Sequence, residues 1–272
     1  MLKEGKNVKV FISADIEGIT TTTFWPETFP DKSEYKQHAE RMTKEVLAAC
    51  EGANAAGATE IVVRDAHGYG NNIDINQLPS NVRLIRGWSG HPYGMVEGLD
   101  ATFDAAIFIG YHSAASRSGN PLSHTESLRP LYVKINGKIA SEFMIYSYAA
   151  ALEHVPIVFL SGDKMLCEDN QDLHPKLITC AIKEGKGAST LNYNPKETLN
   201  LIKNQVEKSL KQDLSQAVPD LPKHFEMEIC YKDHINAEKF SYFPGVKKKN
   251  DNTVVFKTDD YFELLRTFFF IN

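Results

Sequence analysis

Cysteine is scarce: four residues, Cys50, Cys167, Cys180 and Cys230, are scattered through 272 positions, and no two form a Cys-x-x-Cys pair. That excludes a disulfide-stapled fold and a cysteine-rich structural zinc site. The four read as small buried hydrophobes in a reducing compartment. Charge of one sign is also missing, because 30 basic side chains face 35 acidic ones, a net −5. Such a balance gives no electrostatic case for a nucleic-acid or anionic-membrane partner. The Lys247-Lys248-Lys249 cluster sits beside Asn250 and Asp251 and reads as a solvated turn. No apolar run approaches the ~20 residues of a membrane helix, and there is no internal repeat or low-complexity tract. The opening Met1-Leu2-Lys3-Glu4-Gly5-Lys6 is polar, unlike a secretory signal. Together these absences lead us to expect a cytoplasmic protein.

What is present is a chain 42% hydrophobic and 24% charged, enough to bury a core without staples. The first two-thirds alternates strand and helix signals. Val8 to Ile12 is β-branched and aromatic and runs into Ser13-Ala14-Asp15-Ile16-Glu17-Gly18. A helix follows, with Asp31 as its expected cap and Glu34 three residues on. Ala39, Met42, Val46, Ala49, Cys50 and Ala53 recur at helical spacing, and Gly57 suits the stop. Ile61-Val62-Val63 and Ala105 to Ile109 are short continuous apolar runs of the kind that parallel strands show when buried on both faces. Between them a helical stretch is expected around Met95 to Phe103. Leu131 to Ala140 reads as a hairpin about Asn136-Gly137. Glu142 heads a helix ending near Glu153, and Val155 to Leu160 is a further buried strand closed by Ser161-Gly162-Asp163.

This rhythm implies an α/β fold, a mostly parallel sheet flanked by helices in a three-layer αβα arrangement. From there the pattern changes. Asn194 caps and Pro195 opens a helix expected to reach about Leu214, and Val218 to Pro222 breaks it. A strand (Phe225 to Tyr231), a helix (His234 to Phe240), a strand (Thr253 to Lys257) and an aromatic helix (Asp260 to Phe270) then follow. We expect two units, residues 1–190 and a smaller α+β part, 191–272. Phe268-Phe269-Phe270 points to a docked core helix or a subunit interface.

Ligands of open parallel sheets bind beyond the carboxyl ends of the strands. Asp15 and Glu17 leave the first strand there, His67 the second and His112 the third, and Glu142 follows the hairpin closely enough to reach the same rim. Three carboxylates and two imidazoles are donors suited to zinc. Without a cation the carboxylates would repel and take up protons. Five ligands exceed what one catalytic zinc uses and suit two ions if Asp15 bridges them. A two-metal centre activates water and polarises a carbonyl or phosphoryl group, which means hydrolysis. His124, in the loop after His112, is the expected proton carrier or oxyanion partner. Asp65 is expected to orient an imidazole from behind. Asp163 is a competing ligand, and Arg117 and Arg129 are cations open to a carboxylate. Phe24 and Trp25, in Thr20 to Pro30, are candidates for the substrate pocket or for packing.

Ser13-Ala14-Asp15-Ile16-Glu17-Gly18 matches the Ser-x-Asp-x-Glu-Gly signature of the zinc D-aminopeptidases. Asp65-Ala66-His67, Met95-Val96-Glu97-Gly98-Leu99-Asp100, Gly110-Tyr111-His112 and Ser123-His124 match in order. The chain resembles that family over nearly its whole length, densely to about Asp163. The resemblance implies an aminopeptidase with two Zn2+ per subunit acting on short peptides with D-residues at the amino end, such as D-alanyl dipeptides. Asp15 would bridge the ions, Glu17, His67, His112 and Glu142 would complete their coordination, and His124 would take the catalytic place. It also implies a homo-oligomer, a ring-like decamer whose active sites face an inner channel. Another two-metal hydrolase, such as a phosphoesterase, would suit the same ligands, but no glycine-rich phosphate cradle or arginine cluster stands near them. A metal-stabilised assembly protein without catalysis is the third reading.

Overall fold

The computed structural model describes residues 7–171 and 176–272; the polar opening read against a signal peptide lies outside them. The first sheet begins with β1 (Lys9–Ala14), β2 (Glu60–Asp65), β3 (Val82–Ile85), β4 (Ala105–Tyr111) and, after two strands of a second sheet, β5 (Pro130–Ile135) and β6 (Lys138–Ile139), β7 (Ile157–Asp163). It is completed by β8 (Ile178–Lys186) and β9 (Ser189–Asn192) in the order β3-β2-β1-β4-β7-β8-β9. All neighbours are parallel except β8 and β9. The expected mostly parallel sheet is present.

Period-two burial explains how the sheet covers itself. Val10, Ile12 and Ala14 of β1 and Ile107 and Ile109 of β4 enter one core, while Phe11 and Phe108 enter the other. The first core is closed by α1 (Tyr35–Ala55) and α4 (Pro195–Lys211), through Met42, Val46, Ile202 and Val206. The second is closed by α2 (Glu142–Leu152), through Phe143 and Ala150. A short helix, α3 (Lys164–Asn170), follows β7 directly.

Behind α2 lies an antiparallel sheet of β5 (Pro130–Ile135), β6 (Lys138–Ile139), β10 (Phe225–Tyr231), β11 (Lys247–Lys248) and β12 (Thr253–Thr258), in the order β11-β12-β10-β5-β6. Asn136 and Gly137 at φ 51° and 79° make the tight turn between β5 and β6. Two more helices, α5 (His234–Phe240) and α6 (Tyr261–Ile271), complete this part. Sheet membership cuts across residue 190: β5 pairs with β10 and carries β6 into the same sheet, and α4 packs on the first sheet.

Three local expectations are corrected. Asp31 does not cap α1, which starts at Tyr35 after a run of turns with no side-chain cap; Asp31 pairs with Lys32 at 2.9 Å. The apolar spacing of Met95 to Phe103 yields one 3-10 turn, Gly94–Val96, because Gly98 at φ 95° stops it while Leu99 and Phe103 still reach the core. Helix α4 ends at Lys211 rather than Leu214. At the chain end Phe268 is buried, whereas Phe269 and Phe270 remain exposed.

Candidate metal centre

The strand order reverses between β1 and β4, and the site forms at their carboxyl ends, the crevice that a parallel sheet offers to ligands. Its backbone is drawn tight there. Gly18 N–H donates to Gly110 O at 2.8 Å, and a Cβ on Gly18 would lie 1.8 Å from Tyr111 O. Only glycine fits that crossing. Gly110, at φ 70°, faces Asp15 O so closely that a Cβ would lie 2.3 Å away. The Glu17 carbonyl is held by the buried Lys183 ammonium and by Asn120 Nδ2 at 3.0 Å. Burial pushes Lys183 down to about 8.

Two donor triads stand on this frame, Asp15 with Glu17 and His67, and His112 with His124 and Glu142. Asp15 joins them. Its Oδ1 lies 3.4 Å from His67 Nδ1, and its Oδ2 lies 3.5 Å from His112 Nε2. Glu17 Oε2 is 3.1 Å from His67 Nδ1, and Glu142 Oε2 is 3.2 Å from His112 Nε2. All five expected ligands are therefore linked through Asp15, with His124 beside them: its Nε2 is 3.7 Å from Glu142 Oε1, and its ring stacks on His112 at 4.4 Å.

The imidazoles are held from behind. Each accepting carbonyl takes an N–H: His67 Nε2 donates to Thr28 O (2.9 Å), His112 Nδ1 to Ser113 O (2.9 Å) and His124 Nδ1 to Leu122 O (2.8 Å). The remaining nitrogens turn lone pairs toward the carboxylates, and a lone pair facing a carboxylate oxygen calls for a cation between them. Asp15 Oδ2, Glu17 Oε2 and His112 Nε2 are buried without a hydrogen-bond partner among the described residues. The donor set and these orphaned atoms fit a pair of divalent ions.

Without such ions, protons do the compensating. Burial, then the charge of Glu17, raises Asp15 well above the usual carboxylate range. Burial opposes ionisation of Glu17 and Glu142 as well, yet His67 holds the first well down and His112 lowers the second. Against burial, Glu17 lifts His67 well up and Glu142 lifts His112 to about 10. Burial and then the charge of His112 lower His124, which favours its neutral form.

The centre floors a cavity of about 690 Å³. His124 lines that cavity and His112 does not. Trp25, Phe29, Trp88, Phe268 and Phe269 supply an aromatic rim. Trp25 thus reaches the pocket, edge-on to His124 at 5.4 Å, while Phe24 does not line it. Asp65 is a correction: both its oxygens accept from Asn72 and Ile73 (2.5–2.8 Å), so it shapes the His67 loop and orients no imidazole. Asp163 is engaged by Ser113 and by Leu166 N–H at the head of α3. Arg117 pairs with Asp169, and Arg129 donates to Asn272 O. Sequence reasoning missed Glu126 and Tyr146, whose hydroxyl donates to Glu126 Oε1. Their one signal was Tyr146 standing four residues after Glu142, on the same helix face.

Comparisons with known proteins bear on the whole chain. Residues 8–270 match the D-aminopeptidase family. A D-aminopeptidase of Bacillus subtilis (strain 168) is 30% identical over 262 residues, 94% of this chain and 93% of the relative. The solved structure of the Zn-dependent D-aminopeptidase DppA from Bacillus subtilis, described as a self-compartmentalizing protease, superposes with a TM-score of 0.90 at 27% identity, covering 97% of this chain and 96% of that one. With match, relative and fold all spanning the strands that carry the donors, the chain belongs to the D-aminopeptidase family.

Proposed function

We propose that this protein is a two-zinc aminopeptidase that removes the amino-terminal residue of short peptides, with D-residues such as D-alanine at that end. The observation that carries the reading is Asp15, whose two oxygens face separate histidines at 3.4 and 3.5 Å. Asp15, Glu17 and His67 would hold one ion, and Asp15, His112 and Glu142 the other. When bound, the ions lower the pKa of water and polarise the scissile carbonyl.

The chain's own groups do the rest. Thr28 O and Ser113 O fix the tautomers of His67 and His112, which leaves their other ring nitrogens free to hold an ion. His124 Nε2 is the proton carrier: Leu122 O holds the Nδ1 proton, and the lowered pKa leaves Nε2 free to take one from water and return it to the leaving amine. The aromatic rim excludes solvent around the peptide.

Exposed Phe24, Leu191, Tyr242 and Phe270 support assembly into a ring-like homo-oligomer, a decamer as the family resemblance implies. No helix among the described residues is long and apolar enough to cross a membrane, and a cytoplasmic location remains part of the proposal. A panel of D,D-, L,D- and L,L-dipeptides and one phosphodiester, run on metal-analysed protein, tests the reading. The expected result is two zincs per chain and cleavage of peptides with a D-residue first. Phosphodiester hydrolysis, or preference for L,L-dipeptides, would overturn it.

A further inference from the structure

One carboxylate in the cavity belongs to neither ligand set. Glu126 lines the same cavity as Asp15, Glu17 and Glu142 and is accessible from it. It is fixed from two sides. Its backbone N–H donates to Glu142 Oε1 at 2.6 Å, and the Tyr146 hydroxyl donates to its Oε1. Glu142 and Tyr146 are one turn apart on α2, so a single helix places both a metal donor and this second acid. Glu126 takes φ 61°, a left-handed conformation that a non-glycine residue holds only where its surroundings impose it. Its Oε2 has no hydrogen-bond partner among the described residues. Among the described residues no lysine or arginine lines this cavity, so no fixed side-chain cation is paired with that carboxylate.

We propose that Glu126 receives the free α-ammonium of the peptide substrate, with Tyr146 as its positioning residue, and so restricts the cavity to unblocked amino ends. This rests on the aminopeptidase reading above. An ammonium brings three N–H donors and a full charge to Oε2, whereas an acylated amine brings one neutral N–H and added bulk. The 2.6 Å bond to Glu142 fixes the spacing between the anchor and the metal donors. A peptide held at its ammonium would present its first carbonyl to the centre.

The experiment uses the zinc-loaded full chain, as wild type, Glu126→Gln and Tyr146→Phe. D-alanyl-D-alanine is the substrate, D-alanine an inhibitor with an ammonium, and acetohydroxamate a metal-binding inhibitor without one. Glu126→Gln should raise KM for the dipeptide and Ki for D-alanine together by roughly 10- to 100-fold, the range of a charge-assisted hydrogen bond. It should change kcat by only a few-fold, with zinc content and acetohydroxamate inhibition unaltered. Tyr146→Phe should show the same split at smaller size. Unchanged KM and D-alanine inhibition would overturn the proposal, as would acetohydroxamate weakening in step with D-alanine, which marks a merely structural role. A wild type that cleaves no peptide defeats the aminopeptidase reading instead. D-alanine binding measured by calorimetry still judges Glu126 in that case, and equal affinity in wild type and Glu126→Gln overturns the assignment.

Discussion

The floor of the cavity and its rim are built from different material. On the floor, Asp15, Glu17, His112 and Glu142 are each no more than 3% exposed, and the histidines are pinned by backbone carbonyls. On the rim, Trp88 and Phe269 stand 41% and 47% exposed. Floor residues leave strand ends or the first turn of α2, where neighbours in the sheet fix the backbone. Rim residues come from loops and from α6, which belongs with the antiparallel sheet. The contrast assigns chemistry to the floor, where a displaced donor is costly, and selectivity to the rim, where an exposed side chain is cheap to exchange.

The largest expected effect lies at the joint of the floor. Asp15→Asn keeps the shape and removes the charge shared by the two triads, so both ions should be lost and activity should fall to background. Metal analysis beside circular dichroism checks this; a folded Asp15→Asn protein that still carries two zincs would show the triads to be independent. Next comes His124, which lies at the boundary between floor and cavity. His124→Ala should lower kcat by about 10²- to 10⁴-fold, the range of a positioned acid or base, with zinc content intact. Zinc loss in that variant would move His124 from proton carrier to ligand.

A pH experiment sharpens the contrast without mutation. In chelated protein, His67 and His112 have folded pKa values above their unfolded value of about 6.5. The stability they contribute is therefore full below about 6.5 and is lost as pH rises toward about 10 for His112. Lys183, pushed down to about 8, contributes the opposite trend only above that value. Between pH 6.5 and 8 chelated protein should lose roughly 2 kcal/mol through His112 alone, at about 1.4 kcal/mol per pH unit. Zinc-loaded protein should not show this loss, since ions bind the deprotonated donors more tightly as pH rises. Denaturant midpoints at the two pH values, with and without chelator, measure it; a chelated protein that grows more stable over that window contradicts the proton-for-metal exchange.

The same contrast governs what the sequence disclosed. β1, β2, β4 and β7 are buried on both faces, so their apolar runs were legible, and with them the strand ends that bear Asp15, His67 and His112. β3 was not recognised, because Arg83 is exposed and only Val82 is fully buried, leaving an edge strand that reads as loop. The hairpin at Asn136-Gly137 was legible as a turn. Its pairing with β10, some ninety residues on, was not, since periodicity carries no information about distant partners. Glu126 went unrecognised for a related reason: its orientation is imposed by Tyr146 on another element. Asp65 shows the converse error, where closeness in sequence to His67 suggested a contact that Asn72 takes instead.

The smallest expected effect tests whether rim and floor are separable. Phe269 is half exposed and meets Phe270 edge-on at 5.2 Å, so Phe269→Ala should leave the fold nearly unchanged. It removes apolar surface from a wall shared with Trp25 and Trp88 and touches none of the donor residues. A peptide with a bulky aromatic residue after the first position would bury that surface on binding, at about 25 cal/mol per Å². D-alanyl-D-alanine is too small to cover much of it. The substitution should therefore raise KM for D-alanyl-phenylalanine about 3- to 10-fold, at or below the roughly 10-fold lower end for a methylene-sized change in an enclosed hydrophobic pocket, because Phe269 is half exposed. KM for D-alanyl-D-alanine, kcat for both peptides and zinc content should hold. If both peptides weaken equally, α6 positions the floor rather than the substrate, and the selectivity assigned to the rim has to be placed elsewhere in the cavity.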